Sequence, residues 1–355
     1  MTAATQALAA RVVAWQRTQG RHDLPWQHSR EPYRVWLSEI MLQQTQVATV
    51  LGYYPRFLAR CPDVAALAAA PLDDVLALWD GLGYYSRARN LHRCAQQVMA
   101  QHGGAFPRSA AGLAELPGIG PSTAAAIAAF CFGERAAILD GNVQRVLARA
   151  LGFEGDLSQA APKRALWAQA QALLPASPDM PAYTQGLMDL GATVCTTRAP
   201  RCAACPLRGD CTAHAQGREL ALPVKTRRIA RRAQAVWWLH AQRADGALWL
   251  VRRPAPGVWG GLWSLPQWPS EAALRADCPP DLPLLLAPTF SHALTHLELH
   301  LHPMRAPWPG MADPPLGGGT QGQWVSVQAL GGLGLPAALR KTLADCPPTP
   351  TPGAA

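Results

Sequence analysis

Cys195, Cys202, Cys205 and Cys211 fall within seventeen residues of one another, in the pattern C-x6-C-x2-C-x5-C. The whole chain holds nine cysteines, so nearly half of them are gathered in one short stretch. No other feature constrains the fold as strongly. This stretch must close on itself around a common centre, whether a soft metal site or a pair of disulfides. Zinc accepts four thiolates, but its usual sites are two short C-x2-C pairs with a longer spacer. Three unequal intervals suit an iron–sulfur centre better. Disulfides would need an oxidising compartment, and nothing at the N-terminus suggests export. The scattered Cys61, Cys94, Cys131, Cys278 and Cys346 read as free buried thiols.

At 355 residues the chain can hold two domains with separate cores. It is 49% hydrophobic and 15% charged, which excludes a disordered chain. No apolar run reaches the roughly 18 residues a membrane span needs, so the expected setting is the cytoplasm. A net charge of +9 favours a polyanionic partner and fits a merely basic protein as well. The stretch Thr2–Arg17 has arginines and no acids, as transit peptides do. Its alanine, valine and tryptophan positions also read as the first amphipathic helix, which is the reading adopted.

Up to about Cys211 the apolar spacing is helical, as in Val64–Leu78, Thr123–Phe132 and Val143–Leu151, with Gly and Pro punctuation. Residues 222–232 (LPVKTRRIARR) hold five cations and read as a linker. Short strand-like runs follow at Ala235–His240, Ala247–Val251, Leu297–Leu301 and Gln323–Val327. Pro336–Ala344 reads as a closing helix. The expected organisation is an all-α domain over residues 1–221, the basic linker 222–232, a smaller α+β domain over 233–346, and a disordered tail 347–355.

Several stretches carry chemistry. In Leu116-Pro117-Gly118-Ile119-Gly120, Gly118 and Gly120 permit a tight turn with backbone open to a ligand, and Pro121 starts the next helix. Free amides at that helix start suit a phosphate, as in the helix–hairpin–helix device that grips a DNA backbone; a plain helix–helix turn has the same outline. Downstream lies Ile138-Leu139-Asp140-Gly141-Asn142. Asn142 can cap the following helix, which frees Asp140 to stabilise positive charge on a sugar. Glu39 sits among apolar residues on a helix. Buried, it would hold a proton to donate; taken alone, such a glutamate is more often a surface helix residue. Gln43, Gln44, Thr45 and Gln46 form a polar run suited to base edges. Tyr84, Tyr85, Arg87 and Arg89 add aromatics and cations of the kind that stack on or wedge into nucleic acid.

Together, the helix–hairpin–helix, the following aspartate and the cysteine loop resemble the endonuclease III superfamily of DNA glycosylases. Leu24-Pro25-Trp26, Glu39 within LSEIMLQQTQ, and GLGYYSRARN narrow the resemblance to the adenine DNA glycosylases, the MutY family. It spans nearly the whole chain. It implies a helix-hairpin-helix glycosylase domain with a 4Fe-4S cluster on Cys195, Cys202, Cys205 and Cys211, followed by a Nudix-like domain. It further implies a monomer acting on double-stranded DNA with adenine opposite 8-oxo-guanine or guanine. Glu39 matches the general acid, Asp140 the carboxylate that stabilises the oxocarbenium ion, and Asn142 a supporting polar residue. Leu24, Trp26 and Val47 match the lining of the adenine pocket. Gln44, Leu82 and Tyr84 match the wedge, while Thr45 and Arg87 fall among the expected DNA contacts. Bifunctional relatives carry a lysine nucleophile where this chain has Ser122, so lyase chemistry is not expected. Some relatives have Tyr at Ser122 and Glu at Gln185, which leaves proton relay to water or Asp189.

In the second domain, RRPAPGVWGGLWSLPQ (252–267) resembles a Nudix-like fold, but the clustered glutamates that bind magnesium are missing. The fold therefore reads as a recognition module. Thr295 and His296 match the segment that reads 8-oxo-guanine, with Phe290-Ser291-His292 as a rival register. The alternatives are a bifunctional pyrimidine glycosylase, a non-catalytic DNA-binding cluster protein, and a nucleotide hydrolase.

Overall fold

The computed structural model describes residues 3–226, 230–309 and 312–345. Arg227 and Arg228 of the linker, Cys346 and the tail 347–355 lie outside the described residues. The chain divides into two compact units. One holds residues 1–69 and 90–228, the other 70–89 and 229–355.

The first unit is helical. In chain order the helices up to the linker are α1 (Ala3–Gln19), α2 (Pro32–Leu42), α3 (Val47–Arg60), α4 (Val64–Ala69), α5 (Leu72–Leu78), α6 (Ser86–His102), α7 (Ala110–Ala114), α8 (Pro121–Phe132), α9 (Gly141–Leu151), α10 (Ala160–Ala172), α11 (Met180–Asp189) and α12 (Thr212–Ala215). Helix α8 is apolar on every face, and Ala124 to Ala129 are all buried. A helix of this kind belongs at the centre of a bundle, and its small side chains let neighbours approach closely. α2 and α7 pack on it. A shared core joins Val12, Trp15, Val143, Leu147, Leu187 and Leu190 from α1, α9 and the end of α11.

Two sequence boundaries shift. Val64–Leu78 is two helices, because Pro71 interrupts it. The start of residues 222–232 is also more ordered than its charge suggests. Leu222 is buried, Arg149 donates to its carbonyl at 3.0 Å, and the Val224 carbonyl accepts from the Leu157 amide at 2.9 Å.

The second unit is a mixed sheet with strand order β3-β2-β1-β7-β5. Its strands are β1 (Arg232–Gln242), β2 (Leu248–Arg252), β3 (Trp263–Ser264), β4 (Gln267–Trp268), β5 (Leu285–Leu286), β6 (Phe290–Ala293), β7 (Leu297–Pro307) and β8 (Gly322–Val325), with helices α13 (Glu271–Ala276) and α14 (Ala337–Asp345). β1 and β7 run parallel over their full length, from Arg232 beside Leu297 to Gln242 beside Pro307. Alternation along β1 builds two cores. Val236 and Trp238 pack with Leu339, while Leu239 and Ala241 pack with Leu274 and Trp308.

Residues 70–89, read from sequence as part of the helical domain, group with the strands. Asp73 pairs with Arg252 and Asp80 with Arg340. The Tyr85 hydroxyl lies 2.8 Å from the Leu335 carbonyl. A Cβ on Gly334 would come within 2.7 Å of Leu76.

Candidate active site and metal centre

A cavity of about 350 Å³ opens between the start of the chain, α2 and α11. Glu39 of α2, Trp26 and Gln185 of α11 all line it. Glu31 and Pro32 start α2; the Glu31 carboxylate accepts from the Tyr33 and Arg34 amides, leaving the buried face of Trp36, Leu37, Ile40 and Met41 to hold the helix. Glu39 is partly exposed to the cavity, yet protein surrounds its carboxyl closely enough to raise its pKa to about 8. Burial is the main cause and the charge of Asp140 the second. A group this basic for a carboxyl keeps its proton at neutral pH.

Asp140 sits one residue before α9, and its Oδ1 accepts from the Val143 amide at 2.8 Å. It is therefore the helix cap, a role the sequence reading gave to Asn142. The reason is backbone geometry: Asp140 is extended while Gly141 is already helical. Capping does not spend the carboxylate. Burial raises the Asp140 pKa, while the Val143 and Asn142 amides and the Arg145 charge oppose that rise. Two carboxyls thus meet different surroundings. Burial raises both; at Glu39 the neighbouring charge of Asp140 adds to the rise, whereas at Asp140 two amides and a cation work against it.

Asn142 supports from behind. Its Oδ1 accepts from Arg145 at 2.8 Å, and Gly191 lies so close that a Cβ there would come within 2.5 Å of the Asn142 Cβ. Ser122 Oγ accepts from the Leu139 amide at 3.0 Å, pinning the segment that ends in Asp140. Asp189 is 0% exposed and bonds Arg21 through both oxygens, at 2.7 and 3.0 Å. A carboxylate so engaged holds Arg21 in place. It also accepts from the Gln185 amide nitrogen at 2.9 Å. With the Gln185 nitrogen donating there, its oxygen is left to face the cavity. Arg21 and Phe130 line the same cavity and were not found from sequence. Of the expected pocket residues, Trp26 is a wall, with Tyr54 edge-on at 5.5 Å, whereas Leu24 and Val47 are not among the lining residues.

The hairpin lies between α7 and α8. Gly118 has φ +79°, and a Cβ there would meet Asn90 at 2.7 Å, so only glycine fits. A Cβ on Gly120 would meet nothing within 4 Å; there glycine leaves room for a visitor. The open side continues into a groove with Ser122, Lys163, Arg164 and Trp167. Gln43 donates to Thr123 of α8 at 3.3 Å, tying the polar run to the hairpin helix. Gln44 is exposed at φ +58°. A left-handed non-glycine residue at a solvent-facing turn is the kind of strain found at functional sites.

Cys195, Cys202, Cys205 and Cys211 line one cavity with Arg149, His214 and Glu219. A single π-turn, Leu190–Val194, delivers Cys195 from α11. Arg149 is 2% exposed and donates to Cys195 Sγ at 3.3 Å and to the Thr196 carbonyl at 2.7 Å. Arg145, one turn earlier, donates to the carbonyls of Gly191 and Cys195 at 2.6 and 2.7 Å. Helix α9 therefore carries Asp140 at its start and two arginines that hold the cysteine loop. The closest ligand set among the described residues, within 4.8 Å of one another, is Cys202 with His214 and Glu219. A lone zinc would draw four sulfurs to about 3.8 Å of each other, and no three of these thiols lie within 4.8 Å of one another among the described residues. Four converging thiols spaced this way fit a polynuclear centre.

In the second unit, Leu294 and Leu297 close the β6–β7 hairpin, with the Leu294 amide 2.8 Å from the Leu297 carbonyl. Thr295 and His296 form its tip. Thr295 Oγ1 lies 3.4 Å from the Tyr84 hydroxyl, and both residues line a cavity of about 480 Å³ with Trp259 and His292. His296 is not among the lining residues; its carbonyl accepts from the Arg232 amide at 3.0 Å. Ser291 of the rival register is bonded to His300 at 3.0 Å. The hydroxyl beside Tyr84 is thus that of Thr295, and the imidazole lining this cavity is that of His292. Tyr84 is 48% exposed at φ +47°. Leu82, expected in the wedge, is 5% exposed. Arg87 also turns inward. It donates to the Leu82 and Gly83 carbonyls at 2.9 and 3.1 Å and lies over the Trp79 and Tyr84 rings. It shapes the loop instead of offering a cation to a phosphate, because the left-handed turn leaves those carbonyls without helix partners.

A family profile described as HhH-GPD superfamily base excision DNA repair protein matches residues 37–171, and one described as NUDIX domain matches residues 237–345. The adenine DNA glycosylase of Buchnera aphidicola subsp. Baizongia pistaciae is 34% identical over 297 residues, covering 82% of this chain and 84% of that protein. The Homo sapiens adenine DNA glycosylase is 36% identical over 341 residues, covering 80% of this chain and 62% of that protein. Among solved structures, a thermostable thymine-DNA glycosylase is similar at a TM-score of 0.54 and 29% identity, covering 60% of this chain and 97% of that one.

Proposed function

The chain belongs to the adenine DNA glycosylase family, base-excision repair enzymes that remove adenine, and from that premise we propose that its substrate is double-stranded DNA with adenine opposite 8-oxo-guanine or guanine. The observation that carries the reading is the pair of unlike carboxyls, Glu39 with its pKa raised to about 8 and Asp140 held by backbone amides.

Adenine leaves a sugar poorly as an anion. Glu39, protonated at the cavity wall, donates to a ring nitrogen of a flipped-out adenine and makes it a neutral leaving group. Positive charge then develops on the sugar, and the ionised Asp140 stabilises it. Water completes the hydrolysis. Trp26 offers a face for the base, and the Gln185 oxygen suits the exocyclic amine, a donor that adenine has at that edge. Ser122 holds backbone and is no amine nucleophile, which supports a monofunctional enzyme. The hairpin amides at the start of α8, with Lys163 and Arg164 beside them, suit phosphate contacts without sequence readout. The paired hydroxyls of Thr295 and Tyr84 suit reading of the opposite base, and Gln44 and Thr45 are DNA contacts of the helical unit in their own right.

The four cysteines suit a 4Fe-4S cluster. Such a cluster would close a loop that has little core of its own, and its thiolates would find a counter-charge in Arg149. A reducing interior such as the cytoplasm suits four free thiolates. No helix of the described residues is long and apolar enough to cross a membrane.

The experiment is product analysis. A duplex with one adenine opposite 8-oxo-guanine is incubated with the protein, the freed base is identified by mass, and borohydride is added to a parallel sample. Free adenine with no trapped protein–DNA adduct is expected. A borohydride-trapped adduct, or a freed pyrimidine, would replace this reading with the bifunctional one.

A further inference from the structure

At the far end of β1 from Thr295 lies a cavity that the repair chemistry does not use. It has a volume of about 900 Å³ and is lined by His240 and Arg243 of the β1 end, Asp281 and Leu285, and Arg305 and Trp308 of the β7 end. His240 is 1% exposed, and neither ring nitrogen has a hydrogen-bond partner. A buried imidazole left this way lowers stability, because both nitrogens lose their water and gain nothing. A leucine would fill the same space at no such penalty. His240 faces Arg305 across the parallel β1–β7 pairing. Side chains at paired positions share one face of the sheet, here the face that borders the cavity. Arg305 is half-buried and has no ion-pair or hydrogen-bond partner among the described residues. Arg243, by contrast, is paired with Asp245 and lies over the Trp324 ring.

An unpaired guanidinium lines this cavity, and on the same face beside it lies an imidazole whose two nitrogens are closed off and unpaired; together they have the donors of an anion site, with Arg305 the one a ligand meets first. The imidazole is neutral at physiological pH, since burial first and Arg305 second lower its pKa to about 4. It therefore supplies an N–H donor, and Arg305 supplies the charge. Asp281 is the one acid in the lining and makes no ion pair with either among the described residues. A cavity in the range of roughly 300–1,000 Å³ holds a small molecule up to the size of a nucleotide.

We infer that this cavity is a second ligand site, taking a phosphate- or carboxylate-bearing small molecule whose anionic group is held by Arg305, with the His240 ring turning from its closed position to donate to it. The inference does not depend on the identity of the mispair or on the catalytic carboxyls. It is tested on the full chain by titration calorimetry with inorganic phosphate, glutarate and dAMP. The first two separate the phosphate from the carboxylate source, and the third tests nucleotide size. Saturable binding of at least one probe is expected. Arg305→Met and His240→Leu should each weaken it at least about tenfold, the loss expected when one charge-assisted or buried partner is removed. His240→Leu should also raise the ligand-free melting temperature, as removal of an unpartnered buried imidazole implies. Arg305 is half-exposed, so its variant folds even if the His240 variant does not. Absence of saturable binding by all three probes, or binding unchanged in both variants, would overturn the inference.

Discussion

Replacing Glu39 with glutamine separates catalysis from stability in a way that only a proton-holding carboxyl predicts. Moving the pKa from 4.5 to about 8 disfavours the anion by about 5 kcal/mol. At pH 7 a group of pKa about 8 is roughly 90% protonated, whereas an ordinary glutamate holds its proton in about one molecule in several hundred. Burial thus supplies the acid form that catalysis needs. The same shift sets the sign of the stability effect. A carboxyl whose folded pKa is raised contributes fully below its unfolded pKa and loses that contribution as pH rises toward about 8. Glu39→Gln, neutral at every pH, should match wild-type stability near pH 4.5 and exceed it at pH 8.5, by about 1–3 kcal/mol after relaxation and water entry soften the 5 kcal/mol bound. Adenine release should fall at least about a hundredfold. The wild-type single-turnover rate should hold from pH 6 to 7.5 and drop about tenfold per pH unit above 8, as a single required proton dictates. The assays are single-turnover adenine release and urea unfolding of both proteins at each pH. A wild-type rate that is flat to pH 9, or a variant no more stable at pH 8.5 than at pH 4.5 relative to wild type, would refute the reasoning.

Asp140→Asn should keep the fold, since asparagine caps a helix as well as aspartate, and should bind mispaired DNA while losing adenine release by at least about a hundredfold; turnover within a few-fold of wild type would remove Asp140 from the chemistry. Purified protein should be brown with about four irons per chain, and Cys202→Ser should lose colour and DNA affinity together; colourless protein with one zinc would contradict the cluster. Thr295→Ala and Tyr84→Phe should each reduce the preference for 8-oxo-guanine over guanine by about tenfold, the worth of one polar contact. Deleting the second domain after Lys225 is a less clean test, because residues 70–89, with Tyr84, would lose Arg252, Leu335 and Arg340 as partners.

Features whose chemistry is local were legible in the sequence. The cysteine spacing, the Gly118 turn and the strand runs Ala235–His240 and Ala247–Val251 each announce themselves within a few residues. Glu39 was legible as a candidate, but only packing shows that its carboxyl is desolvated. What stayed hidden depends on distant partners or on which backbone conformation wins. Arg21 and Asp189 are 168 residues apart, and nothing near either marks the ion pair beside the Gln185 amide. Arg87 reads as a DNA cation until the left-handed turn at Gly83 and Tyr84 turns carbonyls toward it. Asp140 and Asn142 are both good caps, and the extended backbone at Asp140 decides between them. The affiliation of residues 70–89 rests on contacts with Arg252, Leu335 and Arg340, about 180 to 260 positions downstream, which no periodicity encodes.

The central claim is removal of adenine chosen by the base opposite it. The direct measurement is the single-turnover rate of free-adenine release from four duplexes that differ only in that base: 8-oxo-guanine, guanine, thymine and cytosine. The account predicts fastest release opposite 8-oxo-guanine, slower release opposite guanine, and rates opposite thymine lower by at least about a hundredfold, as two lost polar contacts imply. Equal release opposite 8-oxo-guanine and thymine would contradict it.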